Sequence, residues 1–352
     1  MRKCTIGCLL IGVLFSQLLL FCSPTVPVDT PDKLERVSVW QYLKIYSIYD
    51  TLLKNDPFEY NGIQEMFDML GDTLKGGSYT SYINESGTKI EPYATAVNTA
   101  ATKLVVFDSL TDSCCLIKIA TFMDTDDESV YEQFKSILSQ VKKFSKIIVD
   151  VRNNLGGNLI TTDSVIEDML PAGIPYIYAH ERVYNSSART VRTADSLWMT
   201  KRDARQEFVD KQFAVLINGM TASAGEILAL ALKDGVNAPM FGSTSYGKGI
   251  GQIHIVRRDR PWLQITYLHL YRYQDSSDYH RVGIVPDTPS AQLQLLGVSE
   301  SDKPLFYAIK TLQPSVVKGA ISYPKPVANL AKPSDPGGMY KVIYESDSTT
   351  ED

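Results

Sequence analysis

Val215-Leu216-Ile217-Asn218-Gly219-Met220-Thr221-Ala222-Ser223-Ala224-Gly225-Glu226 passes from a strand into a helix. An apolar run ends at Asn218-Gly219, small residues follow, and Glu226–Lys233 reads as a helix. A strand that turns sharply into a helix is the unit from which layered α/β folds are built. Working outward, Lys146–Val151 is a second compact apolar strand, followed by a glycine turn and a helix through Val165 and Met169. Leu104–Phe107, Cys115–Ala120, Phe213–Ile217, Ile253–Val256 and Leu263–Tyr271 read as strands. Val130, Phe134, Ile137, Leu138 and Val141 mark a helix by their spacing. The alternation predicts an α/β fold.

Nearer the N-terminus, Thr30-Pro31 suits a helix start, and Val37, Trp40, Leu43 and Tyr46 recur in steps of three. Asn55-Asp56-Pro57 ends that helix, and Ile63, Met66, Phe67, Leu70 and Leu74 form a second helical stripe. The two read as a packed helical pair. From Pro314 onward there are five prolines and no apolar period, so 314–352 is expected to lack regular structure.

The chain has 352 residues, 44% hydrophobic and 21% charged, which excludes a wholly disordered or collagen-like chain. Its 35 basic and 40 acidic residues leave no basic excess, so nucleic acid is not an expected partner. No CxxC pair and no HExxH occur, so neither a metal nor a cofactor is expected. Of five cysteines, three lie in the first 22 residues; Cys114-Cys115 read as small buried hydrophobes.

Arg2 and Lys3 precede an apolar run of 16 residues, Ile6 to Phe21, short for a membrane span of roughly 20. That pattern reads as an export signal over 1–22. Leu19-Leu20-Phe21-Cys22 resembles a bacterial lipobox, with Phe21 where a small residue is usual. Residues 23–32 would be a tether. The expected place is the cell envelope, lipid-anchored at Cys22 or otherwise periplasmic, with an uncleaved anchor as the third reading.

Ser223 falls near a helix N-terminus, where unpaired backbone N–H groups and the helix dipole favour negative charge. That suits a nucleophile whose substrate develops an oxyanion. Serine there is equally a helix cap, and the segment alone leaves both readings open. Thr221 to Gly225 is one residue short of GxSxG, the nucleophile elbow of α/β-hydrolases, which would draw a base from His254, His269 or His280. Lys248 is the other candidate base. Gly242 to Lys248 has the GxxxxGK of a P-loop, but Gly249 stands where Ser or Thr must hold magnesium, and a strand follows instead of a helix. A lysine between Gly247 and Gly249 can be approached closely by backbone and so enclosed. A general base must be neutral, so its pKa has to fall from ~10.4 toward ~7–8, a bias of roughly 3–5 kcal/mol that burial can supply. A surface lysine in a loop is the plain alternative. In Ile147 to Asn158, a strand opens into Gly156-Gly157 before a helix, and such glycines let backbone N–H groups face a ligand.

Taken jointly, these segments resemble the C-terminal processing (tail-specific) peptidases, a serine–lysine protease family. Asp150 to Gly157 resembles the family's D-L-R-x-N-x-G-G, with Val151 for leucine; Thr221 to Glu226 resembles S-A-S-A-x-E; Gly247 to Gln252 matches G-K-G-x-x-Q. Arg281 to Asp287 resembles the late G-I-x-P-D, and Ser78 to Tyr82 the N-terminal region. Ser223 and Lys248 lie 25 apart, the family spacing. The resemblance implies Ser223 as nucleophile, Lys248 as general base and Gln252 as its orienting residue. It implies an oxyanion hole from backbone N–H groups of Ala224, Gly156 and Gly157, acting on a peptide or protein substrate. It also implies a crotonase-like αββ sandwich core over 91–313 behind an N-terminal helical region over 33–90. Many members insert a PDZ domain that captures a free C-terminus; the interval from Tyr82 to Leu104 leaves no room for one. An esterase using Ser223 with a histidine, or a non-catalytic peptide-binding protein on the same fold, are the competing readings.

Overall fold

The computed structural model describes residues 31–74, 77–82, 103–125, 127–257, 260–290, 302–316, 318–322, 324 and 340–344. The export segment with Cys22, and the tether up to residue 30, lie outside them.

The described chain opens with α1 (Pro31–Tyr46) and α2 (Ile63–Leu70); Leu43, Met66, Phe67 and Leu70 of the expected stripes are buried, whereas Val37, Trp40, Tyr46 and Ile63 are half-buried and Val39, outside the stripe, is buried instead. The helix stops at Gly71, so Leu74 leaves the stripe and enters β1 (Thr73–Leu74). Then come β2 (Gly77–Ser78), β3 (Ser81–Tyr82), β4 (Val105–Ser109) and β5 (Cys114–Ile119). The helix read from Val130 to Val141 is two, α3 (Val130–Ser136) and α4 (Leu138–Val141), broken at Ile137. Next are β6 (Lys146–Asp150), α5 (Leu159–Met169), β7 (Pro175–Asn185), β8 (Thr190–Met199) and β9 (Gln212–Ile217). The order ends with α6 (Ala224–Val236), β10 (Met240–Gly242), β11 (Ile250–Arg257), β12 (Arg260–Arg272), β13 (Thr288–Pro289), α7 (Lys303–Leu312) and β14 (Tyr340–Tyr344).

One sheet runs β13-β10-β9-β6-β5-β4, parallel throughout except for β4. Successive strand residues face opposite ways. Ile147, Val149, Phe213, Val215 and Ile217 therefore pack with α3, α5 and α6, while Ile148, Ala214 and Leu216 meet Leu305, Ala308 and Ile309 of α7. The second sheet runs β14-β11-β12-β7-β8, with β3 also paired to β12. Every residue of α6 from Ala224 to Leu232 is buried, because the helix lies between the sheets, against β9 on one side and β7 on the other. Truncating Leu230 to Ala there would cost about 2–5 kcal/mol. The helices α1 and α2 cover the far side of the second sheet through Ile253, Ile255, Trp262, Leu263 and Ile265.

The α/β expectation holds as a mixed fold with sheets at its core. One element is absent from the sequence reading and one expectation is corrected. The long hairpin β7–β8 goes unread in the sequence, because β8 is largely solvent-facing and lacks an apolar run. Residues 314–352 are not without structure: β14 pairs in parallel with β11, Tyr340 opposite Gln252. Cys114 and Cys115 are both buried, and burial pushes each thiol up to about 12.

Candidate active site

The carboxyl ends of β6, β9 and β10 are neighbours, so the turns leaving them converge. Those turns carry Gly156-Gly157, Ser223 and Lys248 in that order.

Ser223 is fully buried at φ +56°, ψ −122°. A side-chain-bearing residue held in so sparse a region costs about 1–3 kcal/mol and persists only where its surroundings impose it. Glu226, on the first turn of α6, imposes it: Oε2 accepts the Ser223 N–H at 2.8 Å. The Ser223 Oγ has no hydrogen-bond partner among the described residues. Ser223 and Glu226 are placed as a capping box at the start of α6, but the hydroxyl itself closes no cap hydrogen bond.

Glu226 gathers the base loop as well. Oε2 also accepts the Lys248 N–H at 2.8 Å, while Oε1 accepts the Gly247 N–H at 2.7 Å and the Ser245 hydroxyl at 2.5 Å. Four donors on one buried carboxyl fill its lone-pair sites. Burial raises its pKa, the four donors oppose the rise, and the net shift is upward. Ser245 in turn takes the Ile284 N–H at 2.7 Å, which ties in the late Arg281–Asp287 segment.

Lys248 is fully buried. Its Nζ donates to Gln252 Oε1 at 3.0 Å and lies 5.1 Å from the centroid of the Tyr79 ring. Gly247 makes this enclosure possible: at φ +86° a Cβ there would stand 2.7 Å from the Gly283 nitrogen. No hydrogen bond joins Lys248 Nζ to Ser223 Oγ in this structure.

Gly156, at φ +103°, lies directly against the serine: a Cβ there would stand 2.7 Å from Ser223 Cβ and 3.0 Å from the Ala224 nitrogen. Its own N–H donates to Asn154 Oδ1 at 2.8 Å, so of the three amides named for an oxyanion hole this one is already committed. Asn154, fully buried, also donates to Ile119 O at 3.0 Å, and its carbonyl takes the Ala222 N–H at 2.9 Å. It thereby ties the glycine turn to the serine turn. Below, Arg152 clamps buried Asp150 at 2.7 and 2.9 Å and reaches Asp302 at 2.8 Å.

The histidines stand elsewhere. His254 Nε2 pairs with Gln264 Oε1 at 2.7 Å, and His269 Nε2 with Asp278 Oδ1 at 3.0 Å. Neither ring nitrogen of His280 closes a well-formed hydrogen bond among the described residues, and burial with the charges of His269 and Arg281 pushes it down to about 4. None bonds Ser223, and His254 and His269 are engaged with Gln264 and Asp278 instead. The P-loop resemblance also ends here, since β11 and not a helix follows Lys248. Among the described residues no cluster of three His, Cys, Asp or Glu is placed to hold a metal.

The sequence alone assigns no role to Glu226 or Asn154, although both stand inside the quoted motifs; a polar side chain next to Gly225, or just before Leu155-Gly156, is the signal that could have found them.

Residues 113–290, just over half of the 352, match Peptidase family S41, and the chain belongs to that family. The chloroplastic carboxyl-terminal-processing peptidase 2 of Arabidopsis thaliana is 31% identical over 173 residues, 49% of this chain and 31% of that one. The carboxyl-terminal-processing protease of Synechocystis is 31% identical over 140 residues, covering 40% and 30%. The chain thus spans under a third of the length of these curated relatives. Among solved structures, the photosystem II D1 C-terminal processing protease superposes with a TM-score of 0.55 at 14% identity, over 78% of this chain and all of that one. A lipoprotein from Streptococcus agalactiae gives 0.54 at 14% identity, over 83% and 100%. These two likenesses concern the fold.

Proposed function

We propose that the chain is an exported serine endopeptidase working with a Ser223–Lys248 dyad. One observation carries this reading: the buried Glu226 carboxyl holds the main chains of Ser223 and Lys248 on one oxygen, while Ser223 Oγ is left uncommitted. In the reaction, Oγ attacks the scissile carbonyl carbon as Lys248 Nζ takes its proton. The same proton passes to the leaving amine as the C–N bond breaks. Water then repeats the sequence on the acyl-serine, with Lys248 again as base. The N–H groups of Gly157 and Ala224 receive the oxyanion, and Gly156, lacking a side chain, lets that turn approach Ser223. Gln252 holds the amine through Oε1.

A helix enclosed between two sheets supports a crotonase-like core. The interval 83–102 is far shorter than a PDZ module, so recognition is assigned to the cleft between the glycine turn and α6, where an extended peptide can use backbone hydrogen bonds. Arg2, Lys3, the apolar run and Cys22 support export and a lipid anchor in the cell envelope. Among the described residues, no helix is long and apolar enough to cross a membrane.

The test is hydrolysis of an unstructured peptide and of its C-terminally amidated twin by the parent, Ser223→Ala and Lys248→Ala. Loss in both variants, with both peptides cut alike by the parent, is the expected result. Hydrolysis surviving in Lys248→Ala removes the dyad, and strong preference for the free carboxylate reveals a tail-reading site.

A further inference from the structure

A line of hydrogen bonds runs from Lys248 into the N-terminal segment. Lys248 Nζ donates to Gln252 Oε1 at 3.0 Å, and Gln252 Nε2 donates to Thr266 Oγ1 at 3.4 Å. Thr266 Oγ1 donates to Asp72 Oδ2 at 2.6 Å, and Thr80 Oγ1 donates to the same oxygen at 2.5 Å. Thr80 Oγ1 also accepts the Thr266 N–H at 3.2 Å. All five side chains are buried, Asp72 at 1% exposure and the others at 0%.

We infer that Asp72, acting through Thr266, is a positioning residue that sets the direction of the Gln252 amide and so the orientation of the Lys248 amine. The inference rests on the reading of Lys248 as the base. An amide side chain is ambiguous by itself, since its oxygen and nitrogen ends have the same shape and opposite polarity. Asp72 removes the ambiguity. A carboxylate only accepts, so Thr266 commits its one hydroxyl proton to Asp72. Thr266 Oγ1 can then only accept from Gln252, which turns the Gln252 NH2 toward the threonine and Oε1 toward Nζ. One N–H of Lys248 is thereby pinned, which confines the neutral amine's lone pair to the two remaining tetrahedral positions. Gln252 and Thr266 are directly opposed on β11 and β12, which keeps the relay in register. Asp72 belongs to a stretch whose β3 pairs with β12, so the N-terminal segment joins the machinery of the base.

The experiment measures the rate at which a fluorophosphonate probe labels Ser223 in the full chain, from about pH 6 to pH 10, beside hydrolysis of an unstructured peptide. Thr266→Val keeps the shape and loses the hydroxyl, so labelling should slow by about tenfold to a hundredfold, with kcat falling and KM little changed. Thr266→Ser should restore the rate to within about threefold of the parent, because the hydroxyl returns. Asp72→Ala should follow Thr266→Val. Asp72→Asn can place an amide oxygen where Oδ2 was, so it should keep most of the alkaline rate. With the negative charge gone, its rising limb should move to lower pH. Parental rates and an unmoved limb in Thr266→Val and Asp72→Ala, with Lys248→Ala inert, overturn this inference alone. Labelling of Lys248→Ala at the parental rate overturns the dyad and the inference with it. Should Thr266→Val fail to fold, Thr266→Ser and Asp72→Asn decide: an Asp72→Asn limb that stays put, or a Thr266→Ser rate as low as Asp72→Ala, overturns it.

Discussion

The main-chain N–H groups of Ser223 and Lys248 point at one atom, Glu226 Oε2, from 2.8 Å each. Residues 25 apart in sequence are thereby fixed to each other through backbone, independently of any contact between their side-chain heads. Glutamine at 226 can present only one acceptor oxygen and would turn an NH2 group toward two of the four donors. Each buried donor left facing it costs about 1–3 kcal/mol. Glu226→Gln should therefore lower the stability read from urea unfolding by about 2–4 kcal/mol. Peptide hydrolysis should fall by about a hundredfold or more, since misplacement by an ångström suffices for that. Parental stability and rate together would show that the carboxyl is not what joins the two loops.

Gly156→Ala tests the close approach of the glycine turn. The added methyl would stand 2.7 Å from Ser223 Cβ, at a backbone φ of +103°. The expected cost is about 1–3 kcal/mol in thermal unfolding, and fluorophosphonate labelling should be lost as the turn retreats. A stable, normally labelled variant would mean that the turn stands farther from the serine.

Much of this site is legible in the sequence, and the reasons are local. Ser223 and the glycine pair follow strand ends and Lys248 precedes a strand start, and such borders announce themselves through apolar runs broken by small residues; Gln252, inside β11, is legible only through its spacing from Lys248. The strand β9 and the helix α6 read correctly because α6 is apolar on every side. Asp72 and Thr266 are invisible for the opposite reason, and Thr80, though inside the quoted Ser78–Tyr82 segment, shows no partner there. Each is a single polar residue in an ordinary setting, and only the pairing of β3 and β11 with β12 makes a relay of them. The hairpin β7–β8 escaped because a solvent-facing strand needs no apolar stripe, and β14 because five residues between prolines and charges have no period to show.

Asp150 gives a pH signature. Burial alone would raise its carboxyl; the charge and hydrogen bonds of Arg152, with Lys118, outweigh that and hold it below the ordinary 3.8. A depressed acid contributes stability above its unfolded value and loses it as pH falls through the folded one. The stability gap between the parent and Asp150→Asn should thus be full at neutral pH and narrow below 3.8. Asp150→Ala strands the buried end of Arg152 and should cost about 3–5 kcal/mol at neutral pH. Denaturant unfolding from pH 2 to pH 7 checks both, and a gap constant across that range would contradict the ion pair's role.

His280 should act in a higher window. Its folded pKa is pushed down to about 4 from 6.5, so between these values the unfolded chain binds a proton that the folded one refuses. Stability then declines as pH falls from 6.5 toward 4. Replacing the ring by an uncharged one, His280→Phe, should flatten that part of the curve relative to the parent. An equal slope in both would place the proton uptake elsewhere.

With a neutral Lys248 as the base for Ser223, the rate of peptide hydrolysis must follow the protonation of that lysine. Between about pH 5 and pH 10 the rate should climb through a single limb as the lysine loses its proton, staying low in mildly acidic buffer. Lys248→Ala should abolish it at every pH, while His254→Ala, His269→Ala and His280→Ala keep the limb. A rate that peaks near pH 5, or a Lys248→Ala variant that stays active while one of the histidine variants is dead, would contradict the claim.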